Sequence, residues 1–440
     1  MLRAVTFKNF KSYQTEARLP LAPLTVLMGA NASGKSNAIE GLRFLSWLAQ
    51  GHKLSSMPYM SNSQDRIIRG RPCDLFCNQA DDFTLECETD NVSGYNTLKL
   101  TIVCCDGGLH IKEETITRDD KMTWLYRTKT PSSGGNTNLK ISYDNFTQGG
   151  NPDITCNDQS PIFTQLTSPA WFNGYEKAAA TIPEVAQGFE KMLSSFLFLD
   201  PEPARMRDYS FPADKRLQND GSNISGILFR MTETGDEETR RAQRNDILSF
   251  VESLPEQNIT GLAFLQEDRG GKMLALTEKF GDVERIYDAT LLSDGTLRVL
   301  AIAAAVLSAE KGSLVVIEEI DNGVHPSRAK HLVEKIHEVA KRRGLCVLLS
   351  THNPAFLDAL PNEAVPDVVC CYRDPKDGAS RLIRLDDIED IPLLVAQGSL
   401  GYVSTSGILE RFLKDRPTPE ERRARDLAWL ERYGRGTDAE

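Results

Sequence analysis

The stretch "LTVLMGANASGKSNAIEGL" constrains the fold more than any other. In it, an apolar run is followed by a loop with two glycines, and a lysine and a serine come directly after the second glycine. Residues Gly29 to Ser36 fit the pattern G-x-x-x-x-G-K-[ST] of a phosphate-binding loop. Leu24 to Gly29 are typical of a buried strand, and Ser36 to Ala49 of a helix. A phosphate-binding loop requires a strand before it and a helix after it, and both are predicted here. An accidental Gly/Ser turn would not require this context.

The residue types in this loop indicate which chemistry it performs. Glycines let several N–H groups point at one phosphate, and the helix N-terminus adds positive potential there. Lys35 is expected to reach the β- and γ-phosphates, and the Ser36 hydroxyl to hold Mg²⁺. We therefore expect ATP and Mg²⁺ as cofactors, with nucleotide contacts from Gly29, Asn31, Ser33, Gly34, Lys35, Ser36 and Asn37.

A second strand end carries two acids. The segment "SLVVIEEIDNGVHP", Ser313 to Pro326, begins with the β-branched run of a buried parallel strand and continues into Glu318 and Glu319. We predict that Glu318 orients the Mg²⁺ water shell and that Glu319 accepts a proton from the attacking water. The alternative is that the two acids only terminate a strand.

A third strand end carries a histidine. In "LCVLLSTHNPAFL", Leu345 to Leu357, a buried strand ends at Thr351 and His352. Ligands of open parallel sheets bind at the carboxyl ends of the strands. His352 is therefore predicted to contact a γ-phosphate or the attacking water, although a lone histidine after a strand is usually structural.

The segment "LLSDGTLRVLAIAAAVLSAE", Leu291 to Glu310, is typical of a helix with a capped N-terminus. Its first residues, Ser293, Asp294 and Gly295, would present backbone N–H groups and the positive end of the helix dipole to an anion. Taken alone the segment is a capped helix, but its position between the loop and the two acids suggests a second phosphate contact.

The order of these four motifs resembles that of ABC-type ATPases of the SMC/RecF/OLD-like group. The resemblance is closest to compact prokaryotic AAA-family ATPases that lack a long coiled coil, and it covers residues 1–50 and 195–410. It is carried by "AVTFKNFKSYQTEARLPLAPLTVLMGANASGKSN", "DGSNISGILFRM", "LLSDGTLRVLAI", "IEEIDNGVHP" and "STHNPAFLDAL". The resemblance implies an α/β ABC-type head with a mixed or parallel sheet core.

The resemblance also implies a head-to-head homodimer or higher oligomer that assembles on ATP. Lys35, Ser36 and the strand-end residues would act within one protomer, whereas Ser293 and Gly295 would contact the γ-phosphate bound by the other. Chains of this kind are similar to ATPase subunits of anti-phage systems such as Septu or PARIS. A separate effector subunit, a nuclease or toxin, is then expected, because fewer than a hundred residues follow His352.

Two motifs depart from the pattern of the group, and one element is ambiguous. Glu318 stands where the group usually has aspartate, and the helix cap is Ser-Asp-Gly-Thr where the group has Ser-Gly-Gly-Gln. Neither change removes a needed functional group, so hydrolysis is still expected. Gln165, in "PIFTQLT", is predicted to contact nucleotide and metal from the loop before the helical insert, with Gln79 as the alternative.

The chain is predicted to divide into four segments. Residues 1–160 form a nucleotide-binding lobe with an antiparallel β-subdomain, and 161–260 form a short helical insert interrupted by prolines. Residues 261–410 form a second ATPase lobe. The tail, 411–440, carries an apolar helix face that either packs on its own domain or docks a partner: Leu427, Trp429, Leu430 and Tyr433.

Composition limits the partners. A formal charge of −11 repels nucleic acid on average, so a DNA-binding ATPase of RecF or SMC type, the alternative function, needs a local basic patch. The candidates are Arg66 to Arg71, Arg240 to Arg244 and Lys341 to Arg343. Nine cysteines without regular spacing suit a reducing cytoplasm, and no apolar run approaches the roughly 18 residues that span a membrane.

Overall fold

The computed structural model describes residues 1–57, 67–105, 107–131, 137–252, 258–322, 326–388, 396–414 and 427. Its strands are β1 (Leu2–Lys8), β2 (Ala17–Pro20), β3 (Leu24–Met28), β4 (Asp82–Val92), β5 (Tyr95–Cys105), β6 (Gly108–Thr117), β7 (Trp124–Thr130), β8 (Asn138–Tyr143), β9 (Asp153–Asn157), β10 (Leu197–Leu199), β11 (Ile259–Gln266), β12 (Lys272–Phe280), β13 (Val283–Asp288), β14 (Leu314–Ile317), β15 (Cys346–Thr351), β16 (Val368–Arg373) and β17 (Ser380–Arg384). Its α-helices are α1 (Lys35–Ala49), α2 (Ile162–Gln165), α3 (Glu176–Ser194), α4 (Pro203–Met206), α5 (Ile224–Glu233), α6 (Glu237–Val251), α7 (Asp294–Ser308), α8 (Pro326–Arg343), α9 (Pro354–Asp358), α10 (Leu400–Thr405) and α11 (Ile408–Lys414).

A six-stranded sheet forms the centre of the fold, with the order β10-β14-β15-β3-β16-β17. Neighbouring strands are parallel except for the pair β16 and β17. Ile317 pairs with Leu349, and Thr351 pairs with Met28. The carboxyl ends of β14, β15 and β3 therefore lie side by side, which brings three of the sequence motifs to one edge of the sheet.

The two faces of the central sheet pack into different cores. Val26, Val315 and Val347 face a core that contains helices α5 to α8. Leu27 and Leu348, on the opposite face, contribute to a core that contains α1 and α3. This alternation follows from the period of two along a strand, since both faces of a parallel sheet are buried. Helices α1 and α7 consequently start on opposite sides of the sheet.

Two antiparallel sheets flank this centre. The larger has eight strands, in the order β2-β1-β4-β5-β6-β7-β8-β9, and contributes one face to the core that contains α1. The smaller has the order β11-β12-β13 and packs in the core that contains α7. In the part of the chain that the structure describes, no helix is both long and apolar enough to cross a membrane.

Most of the predicted elements near the motifs are confirmed, and two regions differ. The segment predicted as wholly helical, 161–260, also contains β10, a strand of three residues that is too short to show a period. In 261–290, β13 pairs with β12 as the third strand of the small sheet, and it is mostly exposed, so its sequence lacks apolar alternation. The central sheet takes strands from three of the four predicted segments, whose boundaries stay a prediction.

Most of the predicted tail helix lies outside the described residues. Trp429, Leu430 and Tyr433 lie outside the described residues, as do most positions after Lys414. Leu427 is described and is exposed. The alternatives for this tail, packing on its own domain or docking a partner, therefore both stay predictions.

A buried carboxylate joins the eight-stranded sheet to the first helix of the segment 161–260. Glu114, on β6, accepts hydrogen bonds from the Tyr126 hydroxyl at 2.5 Å, from the Ile162 N–H at 2.7 Å and from the Phe163 N–H at 2.8 Å. Burial raises the pKa of Glu114 from 4.5 to about 7, and these three hydrogen bonds oppose the rise. The folded protein therefore holds a proton here at a pH where the unfolded chain has lost it.

This shift predicts the pH dependence of stability. Between pH 4.5 and about 7 the unfolded chain ionises Glu114 first, so the free energy of unfolding should fall as pH rises. The loss should reach about 3 kcal/mol relative to Glu114→Gln, which does not titrate. Chemical denaturation of both proteins across this range measures it. Glu113→Gln, on the exposed side of the same strand, is the control, and a pH-independent difference for Glu114→Gln would contradict the prediction.

Candidate functional site

The loop between β3 and α1 requires glycine at both ends. Gly29 and Gly34 have φ angles of +155° and +120°, which L side chains rarely adopt. A Cβ atom on Gly29 would strike the carbonyl oxygen of Cys371, and one on Gly34 would strike the side chain of Ser380. The loop is therefore packed directly against β16 and β17, and both glycines are needed for this close approach.

Side chains from distant parts of the chain hold the loop by its carbonyl oxygens. The Ser33 carbonyl accepts hydrogen bonds from Ser380 Oγ at 2.6 Å and from Cys371 Sγ at 3.2 Å. The Gly34 carbonyl accepts one from the Tyr13 hydroxyl at 3.1 Å. Burial raises the pKa of Tyr13, so its hydroxyl keeps the proton that it donates. Sequence reasoning missed all three donors.

The same contacts orient the N–H groups of the loop. In a planar trans peptide the C=O and N–H bonds point in opposite directions. Since the Ser33 and Gly34 carbonyls face their donors, the N–H groups of Gly34 and Lys35 face away from them. Helix α1 begins here without a side-chain cap, so its first N–H groups add to the same anion site.

The Ser33 hydroxyl tests whether a phosphate fits this loop. Ser33 is 3% exposed, and its Oγ has no hydrogen-bond partner among the described residues. A buried hydroxyl without a partner is destabilising by roughly 1–3 kcal/mol. A phosphate oxygen would accept from it, so the donors of the loop fit a phosphate group.

Lys35 lies across the open side of the loop. Its Nζ donates to the carbonyl oxygens of Gly29 at 2.5 Å and of Ala30 at 3.1 Å. Burial lowers the pKa of Lys35, whereas the nearby carboxylates of Glu319 and Asp321 raise it. The ammonium group therefore lies within the electrostatic reach of the acids that follow β14.

The two residues after Lys35 have different surroundings. Ser36 is partly buried in the first turn of α1, which is the position expected of a metal-binding hydroxyl. Asn37 donates from Nδ2 to Ser12 Oγ at 2.7 Å, and the Ser12 hydroxyl lies 2.7 Å from Ser380 Oγ, to which it can donate. The Asn37 amide thus helps to fix the loop against the N-terminal turn.

Glu319 occupies a strained backbone position after β14. Its φ angle is +47°, in the left-handed region that non-glycine residues seldom adopt. Its N–H donates to Ser350 Oγ at 3.0 Å, and its carboxylate accepts from Asn322 Nδ2 at 2.5 Å. Contacts from β15 and from the following turn therefore fix the direction of this acid.

Glu318 turns toward α1. Its Oε1 accepts from Arg43 Nη2 at 2.7 Å. Burial raises the pKa of Glu318, and the charge of Arg43 opposes this rise. Arg43 lies about two turns further along α1 than Ser36, so the carboxylate is held beside the helix rather than by the first turn.

His352 and Asn31 face a cavity of about 390 Å³ beside the loop. His352 Nδ1 lies 3.9 Å from Asp321 Oδ2, and the histidine side chain is 51% exposed. Asp321 also accepts from Thr351 Oγ1 at 2.7 Å, so it is fixed to the end of β15. Sequence reasoning missed Asp321, although it lies only two residues after Glu319.

The N-terminal cap of α7 is the last of the predicted phosphate contacts. Ser293 Oγ accepts from the Thr296 N–H at 3.1 Å, which confirms Ser293 as the N-cap residue. Asp294 accepts from Arg207 Nη2 at 2.6 Å, and the same nitrogen donates to the Leu292 carbonyl at 2.9 Å. Both Ser293 and Asp294 are exposed, and Gly295 is partly buried. Helices α1 and α7 pack against opposite faces of the central sheet.

The structure does not bring Gln165 to the loop. Its amide Nε2 donates to the carbonyl oxygens of Asn157 at 2.7 Å and Ser160 at 2.8 Å, and its Oε1 accepts from the Asn157 N–H at 2.9 Å. These bonds hold it beside β9, the edge strand farthest from β1 and β2. This placement corrects the expectation of nucleotide and metal contacts from Gln165. The alternative, Gln79, lies in the short turn Cys77–Gln79 beside the N-terminal segment.

The donor set suits magnesium bound mainly through phosphates. The Ser36 hydroxyl and the carboxylates of Glu318, Glu319 and Asp321 are hard oxygen donors, which Mg²⁺ prefers. Within the described ranges, no three His, Cys, Asp or Glu side chains are placed to hold a metal by themselves. Mg²⁺ commonly takes one or two carboxylates and completes its shell with water and substrate phosphates.

The loop, the parallel sheet and the strand-end acids define a P-loop nucleotide-binding domain. The chain belongs to the family described as "AAA domain, putative AbiEii toxin, Type IV TA system", whose model matches residues 24–72 and 173–358, more than half of the chain. This match confirms the AAA, ABC-like class of ATPase that the motifs predicted. A comparison with curated proteins found no match.

Solved structures similar to the chain include three SMC head domains. An SmcHead bound to the C-winged helix domain of ScpA is 15% identical, with a TM-score of 0.46, over 87% of this chain and 96% of that one. The head domain from Thermotoga maritima is 13% identical, with a TM-score of 0.39, over 87% and 98%. A head with an extended coiled coil, bound to the C-terminal domain of ScpA and derived from Pyrococcus furiosus, is 14% identical, with a TM-score of 0.47, over 90% and 99%.

The packing of the loop predicts the effect of one methyl group. Gly34→Ala would strain the backbone and push the loop away from Ser380, so ATP affinity should fall by about tenfold or more. Isothermal titration with ATP measures this. Gly51→Ala is the matched control, since Gly51 also has a positive φ, +86°, but an added Cβ there meets nothing within 4 Å. Equal affinities for the two variants would contradict the packing argument.

Proposed function

We propose that the chain binds and hydrolyses ATP, dimerises through shared ATP and controls a separate effector. The observation that carries the proposal is the loop itself: two glycine turns, a buried Ser33 hydroxyl without a partner and the Lys35 ammonium group meet at the carboxyl edge of the sheet. The acids after β14 lie at the same edge and act on the pKa of Lys35. Family membership supports ATP as the ligand.

Each group has a distinct role in the proposed hydrolysis. Lys35 and the N–H groups of α1 neutralise and orient the triphosphate. When bound beside Ser36, Mg²⁺ would supply further neutralisation of phosphate charge. Glu319 accepts the proton of the attacking water, in an orientation fixed by Ser350 and Asn322. His352, placed beside Asp321, donates a hydrogen bond to the γ-phosphate.

The exposed cap of α7 supports assembly of two copies. Ser293 and Asp294 offer an anion site at the surface, on the other face of the sheet from α1. One copy cannot close both sites on one nucleotide, whereas two copies in head-to-head symmetry would place each cap against the loop of the other. ATP would then hold the dimer together, and hydrolysis would release it.

A substitution at Glu319 tests the dimer. Glu319→Gln should bind ATP and accumulate as a dimer, because the proton acceptor is lost while the phosphate contacts remain. Light scattering with and without ATP measures the mass. Lys35→Ala should stay monomeric and lose roughly 10- to 100-fold in ATP affinity, while Lys8→Ala, at an exposed lysine, should behave as the unsubstituted protein.

A second substitution separates the two halves of the site. Ser293→Arg combined with Glu319→Gln should still bind ATP, since its loop is intact, but should not dimerise. A stable ATP-dependent dimer of this double variant would overturn the proposed contact between protomers. Normal turnover by Glu319→Gln alone would remove Glu319 from the role of base.

The proposed effector is a separate nuclease or toxin subunit. The family description names a putative toxin of a type IV toxin–antitoxin system, which favours a role in defence, as in anti-phage systems, over a role in housekeeping repair. The ATP-loaded Glu319→Gln dimer is the form expected to retain a nuclease or toxin subunit. Mass spectrometry of proteins that co-purify with it, compared with Lys35→Ala, would identify this partner.

The alternative function, a DNA-binding ATPase, depends on the first basic run. Arg69 and Arg71 have side chains that are 68% and 85% exposed. All three runs form ion pairs with acids of the same chain. The first run has Arg69–Glu40 and Arg71–Asp74, and the other two have Arg244–Glu233, Lys341–Glu363 and Arg342–Asp246, whose basic side chains are less exposed than Arg69 and Arg71. Arg66, the start of the first run, lies outside the described residues.

Salt dependence distinguishes the two functions. The effector model predicts that duplex binding by the purified protein is weak and unaffected by Arg69→Ala combined with Arg71→Ala. The DNA model predicts tight binding that falls steeply with salt, with a slope reduced by about two in this variant. Fluorescence anisotropy at several salt concentrations measures both quantities.

A further inference from the structure

Arg43 forms a buried and oriented ion pair at the edge of the candidate site. Its Nη2 lies 2.7 Å from Glu318 Oε1, and its guanidinium lies over the Phe198 ring, 5.1 Å from the centroid. The side chains of Arg43 and Glu318 are only 17% and 16% exposed. The guanidinium group is therefore held between a ring on β10 and a carboxylate after β14, and these two contacts fix its orientation.

Arg43 is also the leading cation for a second acid. Asp200 follows β10, the neighbour of β14, and burial raises its pKa. The charge of Arg43 opposes this rise more than any other cation does, and the charge of Glu319 adds to the rise. Two acids at adjacent strand ends, Glu318 and Asp200, thus have the Arg43 guanidinium as their leading compensating cation.

The length of the side chain at position 318 matches this arrangement. Arg43 lies about two turns beyond Ser36 on α1, so a carboxylate that reaches Arg43 must extend along the helix. Aspartate, shorter by one methylene, would end closer to its own backbone and could not span the same gap. Glutamate at this position is therefore suited to an arginine partner.

We propose that Arg43 is a positioning residue that acts through Glu318 to set how tightly the nucleotide site holds its divalent cation. This inference rests on the proposed function. By holding the Glu318 carboxylate against α1, Arg43 limits direct coordination of the cation by that carboxylate. Removing Arg43 frees the carboxylate for the cation, so Mg²⁺ should bind more tightly.

The test measures the Mg²⁺ concentration that half-saturates binding of a fluorescent ATP analogue. Arg43→Gln should lower this concentration by about tenfold, and Arg43→Lys, which keeps the charge, by about threefold at most. Arg18→Gln breaks a pair of equal length, 2.7 Å to Glu88, on the eight-stranded sheet, and should leave the value unchanged. An unchanged value for Arg43→Gln would overturn the proposal.

A double-mutant cycle shows whether Arg43 acts through Glu318. Arg43→Gln combined with Glu318→Gln should match Glu318→Gln alone within about twofold. This comparison removes both partners of the pair, so it can be made even if Arg43→Gln alone does not fold. A further shift of about tenfold in the double variant would overturn the proposal. Failure of the unsubstituted protein to bind the analogue at any Mg²⁺ concentration would instead refute the proposed function.

Discussion

The fixed backbone between β3 and α1 is the constraint on which the rest of the site depends. Tyr13, from the N-terminal segment, and Cys371 and Ser380, from the pair β16 and β17, bind the carbonyl oxygens of consecutive loop residues. With the carbonyl groups occupied, the N–H groups can only face the opposite direction. The anion site is thus formed before any ligand binds, because the conformational entropy of ordering the loop is lost on folding rather than on binding.

The central sheet explains why the site is distributed. A parallel sheet brings chemically active strand ends to one edge, which places Glu319 and His352 near Lys35. The same sheet separates α1 from α7, because each helix buries its apolar side against a different face. The sheet thus brings the strand-end residues together along one edge and places α1 and α7 on different faces. The second arrangement is the reason for proposing that a partner copy completes the site.

Much of this could be predicted from the sequence, because the motifs are local. The glycines, Lys35 and the cap at Ser293 are defined by neighbours within a few residues, and their conformations follow from that short range. Contacts across the fold could not be predicted. Tyr13 and Ser380 are separated by most of the chain, and Gln165 was placed from position alone and proves to bond within its own turn. The pairing of Arg43 with Glu318 depends on how α1 packs beside β14, which the hydrophobic periodicity of the sequence does not show.

The positive φ of Glu319 has an evolutionary consequence. Glycine is the residue that adopts this conformation without strain, so replacing the acid would relax the turn and favour the folded chain. Selection for thermal robustness alone would therefore erode this position, and only selection for turnover would keep a carboxylate there. Stabilised descendants of this protein that lose their chemistry should lose it first at this turn.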